Sequence, residues 1–289
     1  MPELPEVETI KRGLEGLIIG RRIKKVSNDN AKSFPNSQAD VDSFMIGSAV
    51  AGVSRRAKVL MIDLESDYTL VIHLKMTGQI VFVDNTVRFG AGHPTDSLVK
   101  NLPDKSTRVE IFFEDESKLY FNDQRKFGWM RLLPKLEVPN IDFMKKVGPE
   151  PIADDFTAKQ FIASFKRRSN SRIKAALLDQ SVIAGVGNIY ADESLWGAQI
   201  HPEKRVGELT DKHLTKLYEQ VRAVMNLSIQ KGGSTDKNYI DAEGKRGSYL
   251  EFANVFRREG QACGRCQTTI QKTRVAGRGT HICPICQKL

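Results

Sequence analysis

IKAALLDQSVIAGVGNIYADESLW, residues 173–196, reads as two helices with a turn between them. Apolar residues recur at helical spacing on both sides of AGVGN, and Gly185 and Gly187 permit a tight reversal with unhindered backbone N–H groups. Asn188 stands where it would cap the second helix. A helix N-terminus beside glycines is a ready phosphate site, and Lys174 lies nearby. An ordinary helical hairpin needs neither the glycine pair nor the lysine. The chain carries 44 Lys and Arg against 35 Asp and Glu, a net charge of +9, which suits a polyanionic partner. Together these features read as a helix–two-turn–helix element that grips a DNA backbone.

The 289-residue chain is long enough for more than one domain, and its 40% apolar and 27% charged content is that of a soluble globular protein. No apolar run approaches the ~20 residues of a membrane span. The acidic start MPELPEVET lacks the core of a signal peptide, so an intracellular protein is expected. Between residues 21 and 135, the runs KVLMIDL, TLVIHLKM, QIVFVD, RVEIFF, KLYFND and WMRLL are short and β-rich. They predict a β-sandwich or barrel. The stretch RFGAGHPTDSLVKNLPDKS (88–106) breaks the pattern and reads as a surface loop. Helices are expected over 155–167, 172–180, 189–197 and 210–230. Residues 231–250 are rich in Gly, Asp and Lys without periodicity. They are a linker or a mobile functional loop, and their length favours the second.

All four cysteines sit near the C-terminus as CGRC (Cys263, Cys266) and CPIC (Cys283, Cys286), 16 residues apart. Such pairs each fit one tight knuckle, and together they predict a single structural zinc on four thiolates in a small β-hairpin. Two disulfides are the alternative, unfavourable in a reducing compartment and awkward within such short pairs.

The N-terminus raises a question of its own. Pro5 and the glutamates suit a helix start whose apolar face is Val7, Ile10, Leu14 and Leu17. That leaves Pro2 and Glu3 unexplained. A small second residue permits removal of Met1, which would leave Pro2 with a free secondary amine. Met76 in HLKMTG falls at a strand end, and Arg125 and Phe127 in QRKFGW, two residues apart near another, would face the same way on an extended segment. Taken singly, Met76 and Phe127 read as core residues. Taken together, two apolar wedges and a guanidinium are what opening a duplex requires.

PELPEVET, RRAK (55–58), HLKMTG, QRKFGW, DQSVIAGVGNIYADESLW and the paired CxxC motifs follow one another in an order that resembles the bacterial formamidopyrimidine-DNA glycosylases, which remove 8-oxoguanine and ring-opened purines. The resemblance runs through essentially the whole chain. It implies an α+β multidomain fold: an N-terminal β-sandwich with an N-terminal helix (1–135), a linker (136–150), a helix–two-turn–helix domain with a lesion-recognition loop (151–250) and a zinc finger (251–289), with DNA bound in the cleft between. It also implies a bifunctional glycosylase and AP lyase of base excision repair. Pro2 resembles the nucleophile and Glu3 the neighbouring acid, with Glu6 in support. Lys58 matches a basic group near the lesion. Met76, Arg125 and Phe127 resemble the residues that fill the void, Lys174 and Asn188 match phosphate contacts, and Arg278 matches a zinc-hairpin arginine tied to phosphate binding and δ-elimination. A monomer in the bacterial cytoplasm acting on double-stranded DNA, with no redox cofactor, is the expectation.

The chain departs from the family pattern in places. Ser106 stands where a DNA-contacting histidine is common, with Lys105 and Arg108 preserving charge but not that contact. Arg257 replaces a frequent glycine and Ala262 a frequent proline. The endonuclease VIII-type relatives commonly have Gly where Leu4 stands and carry different wedge residues. A non-catalytic DNA-binding zinc protein would share the charge and the zinc, but not Pro2, Glu3 and Lys58 together.

Overall fold

A computed structural model describes residues 2–234 and 249–289; Met1 and residues 235–248, the greater part of the glycine-rich segment, lie outside the described residues. The chain divides into two compact units, Met1–Lys145 with Lys231–Ser248, and Lys146–Gln230 with Tyr249–Leu289. Among the described residues no helix is long and apolar enough to cross a membrane.

The first unit runs α1 (Leu4–Ile18), β1 (Ile23–Asn28), α2 (Gln38–Phe44), β2 (Val50–Arg56), β3 (Val59–Leu64), β4 (Tyr68–His73), β5 (Gly78–Val83), β6 (Arg88–Gly92), β7 (Thr107–Phe113), β8 (Lys118–Asp123) and β9 (Trp129–Pro134), with α3 (Asp142–Lys146) after it. Two antiparallel sheets form, in the orders β1-β7-β8-β5-β6 and β2-β3-β4-β9. Side chains alternate across each strand. Ile80, Phe82, Val109, Ile111 and Phe121 of one sheet therefore meet Leu60, Ile62, Leu70, Ile72 and Leu132 of the other in one core. This is the expected β-sandwich. Helix α1 lies against β2 and β6, an edge strand of each sheet, and sends Val7, Ile10 and Leu14 into the same core. Covering exposed edges in this way removes a pairing hazard.

One expectation fails inside this unit. Residues 88–92 are not loop but strand β6, with Phe89 opposite Phe82 and Ala91 opposite Ile80. Two glycines in RFGAG hide an alternation that only Phe89 and Ala91 display. From His93 onward the chain leaves the sheet, with a single 3-10 turn at Asp96–Leu98.

The second unit holds α4 (Ala158–Lys166), α5 (Ile173–Leu178), α6 (Asn188–Ala198) and α7 (Asp211–Gln230), then the hairpin β10 (Gln271–Val275) and β11 (Arg278–Ile282). The helices fall where expected, with ends shifted by a turn or less. Thr157 caps α4 by accepting the Gln160 N–H at 3.3 Å, while Gln160 Oε1 accepts the Thr157 N–H at 2.7 Å. Helix α7 packs on α4 and α6 through a stripe of Leu214, Leu217, Val221 and Met225. Helix α6 is buried on nearly every side, so it shows no polar face for a periodicity argument to find.

Candidate functional site

In the first unit, Pro2 and Glu3 are buried at the entry to α1. Glu3 is the N-cap, in extended conformation, and Pro5 takes the second helical position. The Glu3 N–H donates to Glu6 Oε2 at 2.8 Å. The other oxygen of Glu6 accepts the N–H and hydroxyl of Ser234, at 2.9 and 2.7 Å. Glu6, only 5% exposed, thus clamps the N-terminus at one end and the start of the glycine-rich segment at the other. A charged acceptor at a helix N-terminus is favourable there.

Lys58 sits in the tight connection between β2 and β3, beside Ala57 at φ 54. It is 6% exposed. Arg55 shapes that turn, donating to Ala57 O at 3.0 Å and to Glu8 Oε2 at 3.0 Å. Arg12 reaches the other Glu8 oxygen at 2.9 Å. Burial pushes the Glu8 carboxyl up, but hydrogen bonds from Arg55 and Arg12 more than offset it and hold it below the usual range. The pair fixes the helix that follows Pro2 and Glu3 to the hairpin that carries Lys58. Its charges were legible in the sequence; their partnership, across 47 residues, was not.

Met76 is 37% exposed and Phe127 54%, so neither is a core residue. The Arg125 guanidinium lies over the Phe127 ring, 4.7 Å from its centroid. Arg125 and Phe127 share a side because Lys126 between them adopts φ 56, not because the segment is an extended strand. Behind Met76, His73 is pushed down to about 3, by burial first and then by the charges of Lys75 and Lys58. The ring is therefore neutral at physiological pH, and its Nδ1 accepts the Lys75 N–H at 3.1 Å.

The departures from the family pattern have structural correlates. Ser106 is 4% exposed and turned inward, donating to Asp104 Oδ1 at 2.6 Å and lying 3.1 Å from Ser97 Oγ. Arg108 does not replace the missing contact. It is buried and bonded to Asp29, Lys105 O and Asp123 O. Arg257 has φ 58, a left-handed position where glycine costs nothing and another residue about 1–2 kcal/mol. Ala262 forms a bridge with Thr269.

In the second unit, Gly185 has φ 77, as the reversal requires, and its N–H donates to Gln180 Oε1 at 2.9 Å. Asn188 does not cap α6. Gly187 is the N-cap, and the Asn188 amide instead donates to Gly279 O at 3.0 Å. Lys174 also differs from the expectation. It is wholly buried and donates to Asp192 Oδ1 at 2.6 Å, Gly279 O at 3.0 Å and Thr280 Oγ1 at 2.7 Å. An ammonium has three donors, and here they face inward; Lys174 holds the turn after Arg278 rather than a phosphate. Arg278 itself is exposed. Asp192 Oδ2 accepts the His281 N–H at 2.9 Å. Glu193 accepts the N–H groups of Asn254, Val255 and Phe256, each at 2.8 Å. The two acids of DESLW thus bind the C-terminal segment to α6, a role that charges inside an otherwise buried helix could have signalled.

Replacing Lys174 with Met tests this. A lost phosphate contact would leave stability intact and lower the salt dependence of DNA binding by about one unit of slope. A buried Asp192 stripped of its ammonium partner should instead cost about 3–5 kcal/mol of unfolding free energy, measured by urea denaturation of the zinc-loaded protein.

The four cysteine sulfurs lie within 4.8 Å of one another, with separations of 3.4, 3.5 and 3.9 Å for three of the pairs. A tetrahedron of Zn–S bonds of ~2.3 Å sets sulfurs about 3.8 Å apart, and a disulfide would need ~2.05 Å. The residues fit one zinc ion. Backbone N–H groups of Arg265 and Cys286 point at Cys263 and Cys283 sulfurs, both at 3.4 Å. Burial, then hydrogen bonds among the neighbouring thiols, push Cys286 up to about 12, so a cation is needed before all four ionise.

Three family models match the chain: the formamidopyrimidine-DNA glycosylase N-terminal domain over residues 1–130, the formamidopyrimidine-DNA glycosylase H2TH domain over 147–239, and a zinc finger found in FPG and IleRS over 260–289. A formamidopyrimidine-DNA glycosylase of Streptococcus mutans is 38% identical over 290 residues, covering 100% of both chains. Among solved structures, Lactococcus lactis Fpg in complex with DNA containing an abasic site matches with TM-score 0.87 and 33% identity over 99% of this chain and 100% of that one. MutM in complex with DNA containing carbocyclic 8-oxo-G matches with TM-score 0.86 and 33% identity, covering 100% of both. Sequence and fold agree along the same residues, from the N-terminal helix to the four-cysteine hairpin, and on that agreement the chain belongs to the formamidopyrimidine-DNA glycosylase family.

Proposed function

We propose that the protein excises oxidised purines, 8-oxoguanine and formamidopyrimidines, from double-stranded DNA and then nicks the strand by β,δ-elimination. The observation that carries this reading is the buried Pro2–Glu3 start, clamped through Glu6. A free N-terminal amine has a reference pKa of about 8, so a usable neutral fraction exists at physiological pH. The Pro2 nitrogen attacks the sugar C1′ and the damaged base leaves. A secondary amine then gives an iminium with a fixed positive charge, which acidifies the 2′ position. The 3′ phosphate departs by β-elimination and the 5′ phosphate by a second elimination. Glu3 moves protons to and from the sugar ring, and Lys58 serves the elimination. Zinc on four thiolates has no open position and acts structurally.

Met76, Arg125 and Phe127 fill the space of the extruded nucleotide, and Asn188 and Arg278 bring the backbone into register, with Lys174 acting through the turn it holds. The proposed division is 1–135 for catalysis, 136–150 as linker, 151–250 for grip and lesion recognition, and 251–289 for the zinc finger. The protein works as a monomer in the bacterial cytoplasm.

Single-turnover excision on duplexes that differ only in the base opposite 8-oxoguanine tests the reading. An orphaned cytosine offers O2 and N3 as adjacent acceptors for the fork of Arg125, while adenine offers one acceptor beside a donor. Bidentate base contacts discriminate by roughly 1–3 kcal/mol. Arg125→Ala should therefore shrink the preference for C over A by about ten- to a hundredfold. Phe127→Ala should slow excision opposite every base. An unchanged C-to-A ratio in Arg125→Ala would remove Arg125 from the role of reader.

A further inference from the structure

Asp123 ends β8 with its side chain wholly buried, and no step of the chemistry above uses it. Its Oδ1 accepts the hydroxyl of Thr77 and the N–H of Arg125, the latter at 3.2 Å. Its Oδ2 accepts the N–H of Gly128 at 2.6 Å. The Thr77 hydroxyl oxygen also accepts the Arg125 N–H, at 3.1 Å. One carboxylate therefore grips the chain on both flanks of the Arg125–Phe127 loop and, through Thr77, the turn that presents Met76. There is little room for another arrangement. A Cβ on Gly128 would lie 3.1 Å from Asp123 Oδ2 and 2.9 Å from the Phe121 ring.

We propose that Asp123 and Thr77 are positioning residues that lock Met76, Arg125 and Phe127 into one rigid wedge, so that duplex opening depends on a buried carboxylate. The proposal rests on the reading that these three side chains enter the duplex. Without the lock, each loop retains its own turn: Lys75 and Lys126, at φ 51 and 56, still bend the chain. What is lost is the fixed relation between the two tips. Insertion must then order them during the opening step, and the rate of that step should fall while the chemistry at the N-terminus continues.

The test uses full-length zinc-loaded protein and two substrates. One is an 8-oxoguanine:C duplex with 2-aminopurine beside the lesion, whose fluorescence follows extrusion. The other is a single-stranded abasic oligonucleotide, which needs no opening and reports β-elimination alone. Thr77→Val removes the hydroxyl at nearly constant volume. It should slow extrusion about tenfold, the scale of one lost buried hydrogen bond, and leave single-strand cleavage within about twofold. Thr77→Ser, which restores the hydroxyl, should recover the wild-type extrusion rate. Asp123→Asn cannot accept on both sides at once and should be at least as slow as Thr77→Val. Adding Thr77→Val to Phe127→Ala should slow extrusion less than the two separate effects multiplied. Wild-type extrusion in Thr77→Val, or an equal loss on the single strand, overturns the proposal while the wedge reading stands on Phe127→Ala. If Phe127→Ala itself extrudes normally, the wedge reading falls and this proposal with it.

Discussion

Protein that retains Met1, or carries any N-terminal extension, should form no covalent adduct with lesion-bearing DNA. With a free Pro2, borohydride reduces the iminium and traps enzyme on the strand, and the adduct should map to the N-terminal peptide. Loss of a nucleophile commonly costs about 10^3-fold or far more, so trapping and strand cleavage should both drop to the assay floor. The effect should be confined to chemistry. Affinity for an uncleavable abasic analogue should change little, because the groups assigned to the backbone, Asn188 and Arg278, lie elsewhere in the chain. Normal cleavage by a tagged protein would dismiss the amine mechanism.

Removing zinc should have the other large effect. Structural zinc in small hairpins contributes about 10–16 kcal/mol of apparent binding free energy, which is also folding free energy. Cys266→Ser or Cys283→Ser should release the metal and unfold the hairpin. The Arg278 turn, where Ala276 and Gly277 have φ 49 and 76, would then have no scaffold. Lys174 and Asn188 would lose Gly279 and Thr280 as partners. With charge-assisted contacts worth about 1.5–3 kcal/mol each, DNA affinity should fall by a hundredfold or more while the β-sandwich stays folded. Titrating a fluorescent abasic duplex into metal-free and metal-loaded protein reads this directly. Equal affinities would mean that the hairpin has no part in binding.

The sandwich strands were legible because KLYFND and QIVFVD are short, β-rich apolar runs bounded by turn residues, the mark of strands buried on both faces. Strand β6 was not, since glycines at 90 and 92 leave two residues to carry the pattern. The zinc ligands were legible from spacing alone. Lys174 was placed correctly on its helix but given the wrong neighbour: one-dimensional sequence marks a lysine as charged, and only the fold sets Asp192, 18 residues on, against its ammonium. Asp123, Glu8 and Arg55 escaped for the same reason. Each works through a contact between segments far apart in the chain, and such pairings leave no periodicity behind. Even the shared side of Arg125 and Phe127 was inferred from extended geometry, whereas a left-handed residue between them produces it.

The carboxylate of Glu6 accepts from Glu3 with one oxygen and from Ser234 with the other. That arrangement subjects the two ends to thermodynamic reciprocity. Whatever free energy the helix entry gains from a settled Ser234, Ser234 gains from a settled helix entry, and neither can be tuned alone. A small molecule that captures Ser234 would register at Pro2, and an inhibitor seated against Pro2 would hold Ser234 more tightly by the same factor. Glu6→Gln, whose amide nitrogen cannot accept, should divorce the two responses.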